Sequence, residues 1–450
     1  MPITATLGAL TYQKFGLGTA QSKFWLIKFI SGIGDIYDGA WDTTGNIYIW
    51  SERSAGGLPQ ITKFDSIGLR PIYNKSFDLN LVGGGAEWVS DGAITYDSYS
   101  NSVVGVSNNR ILYTGSFPNY FVINGWSYVT DPAFNSSTSV LNSPAPPNPS
   151  ANNNSRKIPY ACIVNPLNGY FIQYGLRTDP ATGDEISIYY DESTSSAGTT
   201  INSQSQTSFI TSTVTLTIGN IKILSGGDPV LLFTCTDLST PADTRIVLRR
   251  ANQTRTGIGP FFLPNVWQRQ LKLDRYIVGT DLSVDSSDNI ALVGNNTNTD
   301  DAYIVYYNSS GAIQWQRQFA NTVLNAVTFD ASGNVYISGT EFLAKYNSSG
   351  TLQWQIEVTG TTDVVNMSIV QNRINVVGID FMYSFPITGT IPGQPTGSGV
   401  TFSIGSRTES AGTLTDSNNT TDGVASGVCN LATNVDGETI ATVATNTYVF

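Results

Sequence analysis

A phrase of about forty to forty-eight residues recurs along this 450-residue chain, and that recurrence limits the fold more than any single residue does. One copy runs from Trp315-Gln-Arg-Gln-Phe319 through Asp330-Ala-Ser-Gly-Asn334-Val-Tyr-Ile-Ser-Gly339 and Phe342-Leu-Ala-Lys-Tyr-Asn347-Ser-Ser-Gly350 to Trp354. The copy before it reads Trp267-Gln-Arg-Gln-Leu271, Asp285-Ser-Ser-Asp-Asn289-Ile-Ala-Leu-Val-Gly294 and Tyr303-Ile-Val-Tyr-Tyr-Asn308-Ser-Ser-Gly311. A unit this short cannot bury its apolar face alone and must stack on its neighbours.

Within the unit apolar and polar residues alternate: Leu352, Trp354, Ile356 and Val358 stand against Gln353, Gln355 and Glu357. Period two specifies strands. Asp-x-x-Gly-Asn and Asn-Ser-Ser-Gly punctuate them, with Asn or Asp capping a turn and Gly free to take positive φ. One unit is therefore four short antiparallel strands, the pattern of a propeller blade.

The template extends in both directions. Trp25-Leu-Ile-Lys-Phe29 matches the outermost strand, and Asp42-Thr-Thr-Gly-Asn46 and Asp97-Ser-Tyr-Ser-Asn101 repeat the first turn. Weaker units follow between residues 158 and 250, after a proline-rich loop insertion at 130–156. A last unit starts at Val364 and reaches Phe385 with no outermost strand after it. The expected fold is an all-β propeller of four-stranded antiparallel blades, seven of them, with six or eight as alternatives. The N-terminal strand closes the ring, which removes exposed sheet edges. The expected divisions are an N-terminal arm at 1–21, the propeller at 22–388 and a Gly/Ser/Thr-rich C-terminal extension at 389–450. Such a tail has too few large apolar residues for a core of its own, so it is expected to be disordered or to gain order by adding strands to the propeller or to a neighbouring protein.

Composition narrows the function. Asp plus Glu outnumber Lys plus Arg by 34 to 23, giving a net charge of −11, and this disfavours a nucleic-acid partner. The chain has no histidine, which removes Ser-His-Asp and Cys-His catalysis and the usual zinc sites. Three cysteines, Cys162, Cys235 and Cys429, are odd in number and far apart, so we expect buried unpaired thiols. No apolar run is long enough to span a membrane, and the first residues lack the charged start and apolar core of a secretory signal.

Asp42, Asp97, Asp285 and Asp330 occupy one template position. Each turn offers little more than a carboxylate and an amide, too few oxygens for calcium, so they read as structural turns. Trp25, Trp267, Trp315 and Trp354 read as blade-packing residues, since buried indoles dominate such contacts. Trp88 and Trp126, with Tyr120 and Phe121, do not repeat and are the candidates for ligand stacking. Adjacent acids, Asp184-Glu185 and Asp300-Asp301, point to opposite sides of a strand and make poor acid/base pairs. No catalytic residue, metal ligand or cofactor is assigned.

Asn347-Ser-Ser-Gly-Thr-Leu-Gln-Trp354 resembles the tryptophan-docking element of quinoprotein dehydrogenase propellers, a structural likeness that carries no catalytic residue. Asp330-Ala-Ser-Gly-Asn-Val-Tyr, Phe342-Leu-Ala-Lys-Tyr-Asn-Ser-Ser-Gly and Trp267-Gln-Arg-Gln-Leu resemble the bacterial beta-propeller repeat family. Together with the start Met1-Pro-Ile-Thr-Ala-Thr-Leu-Gly-Ala-Leu and the tail Thr408-Glu-Ser-Ala-Gly-Thr-Leu-Thr-Asp416, they resemble virion structural proteins of marine and cyanobacterial tailed phages. The resemblance implies a non-enzymatic virion protein of the tail, baseplate or fibre apparatus, made in the host cytoplasm, with other virion proteins as partners. A host receptor- or glycan-binding adhesin is the alternative. A quinoprotein-like or glycan-cleaving enzyme ranks below both.

Overall fold

A computed structural model describes the chain between residues 3 and 418, without a break over 33–52, 156–178, 214–237 and 276–361 and with gaps elsewhere. Residues 419–450 and the side chains of many strand residues lie outside the description. Every described element is a strand or its turn, and every strand pairing is antiparallel. The molecule is an all-β propeller.

The clearest blade consists of Leu324–Phe329, Val335–Gly339, Phe342–Tyr346 and Leu352–Thr359. Its second strand is buried at every position, as expected where blades cover both faces of a strand. The blade before it runs Ile277–Val284, Ile290–Asn296, Asp301–Tyr307 and Ile313–Phe319. Before that stand Val214–Ile223, Pro229–Asp237, Thr244–Ala251 and Asn265–Lys272.

The last repeat, Val364–Val370, Arg373–Gly378 and Phe381–Pro386, is completed by Trp25–Ser31 from the other end of the chain. The register is Trp25 opposite Ser384, Leu26 opposite Tyr383, Ile27 opposite Met382 and Lys28 opposite Phe381. Against this blade packs the sheet of Ile36–Trp41, Ile47–Glu52, Pro59–Phe64 and Pro71–Ser76.

Four apolar clusters join these five sheets in sequence. Trp267 with Leu282 and Leu292 fills the first gap, Trp315 with Val335 and Tyr346 the second, Tyr336 with Val376 and Tyr383 the third, and Ile27 with Ile49 and Met382 the fourth. Two further four-stranded sheets, beginning with Ala86–Asp97 and Arg156–Val164, meet the ends of this run, the first through Trp50 with Ile61 and Ile94 and the second through Tyr174 with Leu216 and Phe233.

The expectation of a seven-bladed propeller of four-stranded blades is therefore corrected: the four clusters join five blades, not seven, and only one of the five is four-stranded. The reason lies at the outer edges, whose unpaired backbone groups recruit extra strands. An N-terminal hairpin, Ile3–Leu7 and Leu10–Gly16, lies on Trp25–Ser31 and makes that sheet six-stranded. From the C-terminal extension, Thr401–Ile404, Glu409–Ala411 and Thr415–Asn418 each add a fifth strand to one of three consecutive blades. The expectation of unpaired cysteines is corrected too: Cys162 is free, but Cys235 is disulfide-bonded.

Candidate functional site

The innermost strands surround a cavity of about 370 Å3. Six of them break their register beside the cavity: between Ile36 and Asp38, Pro159 and Ala161, Ile218 and Ile221, Gly279 and Asp281, Leu324 and Ala326, and Val364 and Asn366. A bulge re-aims the residue beside it, and here it turns a belt of Asp and Asn side chains sideways along the ring.

Asn366 Nδ2 donates to Asp38 Oδ1 at 2.7 Å and to the Gly39 carbonyl at 2.9 Å. Asp38 Oδ1 also accepts from the Gly39 amide at 2.7 Å, and Oδ2 accepts from the Ile94 amide of the next sheet at 2.8 Å. The same arrangement recurs elsewhere on the ring. Asn220 Nδ2 donates to Asp281 Oδ1 at 2.6 Å, the Leu282 amide to the same oxygen at 2.8 Å, and the Val327 amide to Oδ2 at 2.9 Å. Each carboxylate thus takes three N–H donors and spans two seams between sheets.

Burial pushes Asp38 up to about 6, against the pull of the Ile94, Asn366 and Gly39 donors and the Lys222 charge. Asp281 is raised for the same reason, with Lys222 and its own three donors pulling it down. Burial also raises the free Cys162 thiol, so it is no ready nucleophile. Lys222 supplies the positive charge among the described lining residues, and Tyr37, Thr95, Tyr160, Thr328 and Ser368 add hydroxyls. A general acid or base needs an oxygen turned to the substrate, whereas the oxygens of Asp38 and Asp281 face backbone and amide donors. The arrangement ties inner strands together.

The repeated turn acids do similar work. Asp330 Oδ1 accepts from the Ser332 and Asn334 amides at 2.9 and 3.0 Å, and Oδ2 from Asn334 Nδ2 at 2.8 Å and the Tyr336 hydroxyl at 2.9 Å. Asp42 repeats the set with Thr44, Asn46 and Tyr48, and Asp285 with Ser287 and Asn289. The Asp97 side chain lies outside the described residues. Among those described, no group of three His, Cys, Asp or Glu is placed to hold a metal ion.

Trp315 stacks between Tyr306 and Tyr346, with ring centroids 5.2 and 5.6 Å away, and its indole N–H donates to the Ser348 carbonyl of the next blade at 3.0 Å. Trp267 packs over the Gly311 turn, Trp25 is buried among Ile27 and Phe29, and Trp354 meets Tyr336 edge-on and Phe385 at a tilt. Of the proposed stacking residues, the side chains of Trp88, Phe121 and Trp126 lie outside the described residues, as does all of Tyr120. Sequence reasoning missed Asp38, Asp281 and Asn366. The signal was slight: Asp38 and Asp281 each stand four residues before a turn aspartate, Asp42 and Asp285.

Sheet order and blade packing make this a β-propeller. No family model matches the chain, and no curated protein matches it. Among solved structures it is similar to the Dos1 propeller, with TM-score 0.43 and 11% identity over 82% of this chain and 95% of that one. A Hadza microbial sialidase, Hz136, matches with TM-score 0.39 and 8% identity over 78% of this chain and 75% of the other. XC5397 from Xanthomonas campestris, a gluconolactonase, matches with TM-score 0.33 and 10% identity over 86% and 97%. Two of these distant neighbours are enzymes, but scores and identities this low carry no argument about activity.

Proposed function

We propose that the chain is a non-enzymatic interaction platform and that it serves as a structural protein of a tailed-phage particle, in the tail, baseplate or fibre apparatus. The first part rests on one observation: the buried carboxylates of the central cavity are taken up by N–H donors from adjacent sheets. Their oxygens are occupied by those donors and are not turned to the cavity as a general acid or base requires. The second part rests on the resemblance of both chain ends and of the repeat phrases to virion proteins.

Antibody against the purified chain, applied to gradient-purified particles, tests the virion assignment. Detection alongside other minor tail proteins is expected. Their detection without this chain overturns it. Turnover of sialosides and sugar lactones by the purified protein tests the non-enzymatic part, and the expected rate is that of buffer.

A further inference from the structure

Two of the added strands of the C-terminal extension, Thr401–Ile404 and Glu409–Ala411, are held by side chains as well as by backbone pairing. Val400 and Phe402 are each 3% exposed, and Phe402 stands edge-on to Tyr383 at 5.6 Å, in the core between two blades. The Gly405 amide donates to the Gln355 carbonyl at 2.9 Å, and Gln355 Nε2 donates to the Arg407 carbonyl at 3.1 Å. Arg407 lies over the Phe342 ring at 5.0 Å and donates to Thr322 Oγ1 at 2.8 Å. Glu409 accepts from the Tyr346 hydroxyl at 2.5 Å and faces Arg317 Nε at 3.8 Å. The outer strands thus read an ordered pattern of an aromatic, a glycine, an arginine and an acid along an extended peptide.

Recognition by strand addition takes affinity from backbone hydrogen bonds and specificity from such side-chain pockets. None of these contacts requires the peptide to belong to the same molecule. Residues 389–399, which join it to the ring, are rich in Gly and Pro and reach about 36–40 Å when extended. We infer that the outer edges of these three blades form a strand-accepting site, and that the segment from Val400 to Asn418 of a second copy occupies it when the resident segment is released. The second copy is the partner chosen because every copy carries the one sequence whose fit to these edges is on view. Exchange of an identical element is a low-cost route to association. The inference stands whether or not the protein belongs to a virion.

A fluorescent peptide of residues 400–418 tests it with the full-length chain. Phe402→Ala with Arg407→Ala releases the resident segment and leaves the accepting edges intact. The peptide is expected to bind this variant saturably, and at least about tenfold more tightly than it binds the wild-type chain, whose edges are filled. A peptide carrying the same two substitutions is expected not to bind. In wild-type protein with residues 392–397 deleted, light scattering is expected to show dimers, because a shortened tether favours a neighbour's edges over its own. Where the double variant does not fold, Arg407→Ala alone replaces it, since this residue lies outside the core. Absence of peptide binding to a folded variant, equal binding of both peptides, or a monomeric deletion chain overturns the inference.

Discussion

Gly350 shows how a turn in one blade is shaped by a side chain of the last. Its φ is +77°, and a Cβ there would lie 2.6 Å from the Trp315 indole. Gly333 has nearly the same φ, +75°, but a Cβ would meet only Asp285 Oδ2 at 3.5 Å. Gly350→Ala is therefore expected to cost more than Gly333→Ala, roughly 3 kcal/mol against 1 in urea unfolding, since one adds overpacking to backbone strain and the other only strain. Asp38 gives a prediction in pH. Its folded value near 6 lies above the usual carboxylate value near 4, so the folded chain binds the extra proton between the two. Stability from this group is highest below about pH 4, falls as pH rises to about 6, and is flat above. Asp38→Ala should remove up to about 3 kcal/mol of that decline, seen as a shallower fall across this range than in wild type. The turn acids were legible because their whole hydrogen-bonding set lies within six residues of sequence. Asp38 and Asp281 were not, because their donors come from other sheets, 46 to 328 residues away in most cases.

Individual strands of the clear repeats were readable, since alternation marks which side meets a neighbouring blade. The strands of the extension were not. They are three or four residues long, Ser- and Thr-rich, and too short for any period to show. What places them is the open edge of each blade and a few anchors, of which Phe402 is the largest. Phe402→Ala is expected to free the extension locally, with a loss near 3 kcal/mol, the lower end for an emptied Phe site, because the exposed flank can collapse. Hydrogen exchange is the direct measurement. Amides of Ile356 and Val358, opposite Ile404 and Phe402, should change protection far more than those of Val335–Gly339 in the same blade. Equal change in both strands would mean that the extension is part of the blade's cooperative unit.

At the scale of the whole molecule, repeat phase accounts for which strands share a sheet: Trp25-Leu-Ile-Lys-Phe29 carries the outermost-strand pattern that the last repeat lacks. Strand number was beyond the repeat, because the hairpin at one end and the extension at the other lie outside it. The two ends of the chain are joined twice, at the outside by Trp25–Ser31 on Phe381–Pro386 and at the inside by Asn366 on Asp38. The account holds that this inner seam is equivalent to an ordinary seam such as that of Asn220 and Asp281, and that both serve stability rather than chemistry. A double-mutant cycle on Asn366→Ala and Asp38→Ala, set beside one on Asn220→Ala and Asp281→Ala, measures this directly. Coupling energies of about 2 kcal/mol are predicted for both pairs, the scale of a hydrogen bond to a buried charge. Coupling between Asn220 and Asp281 with none between Asn366 and Asp38 would contradict it.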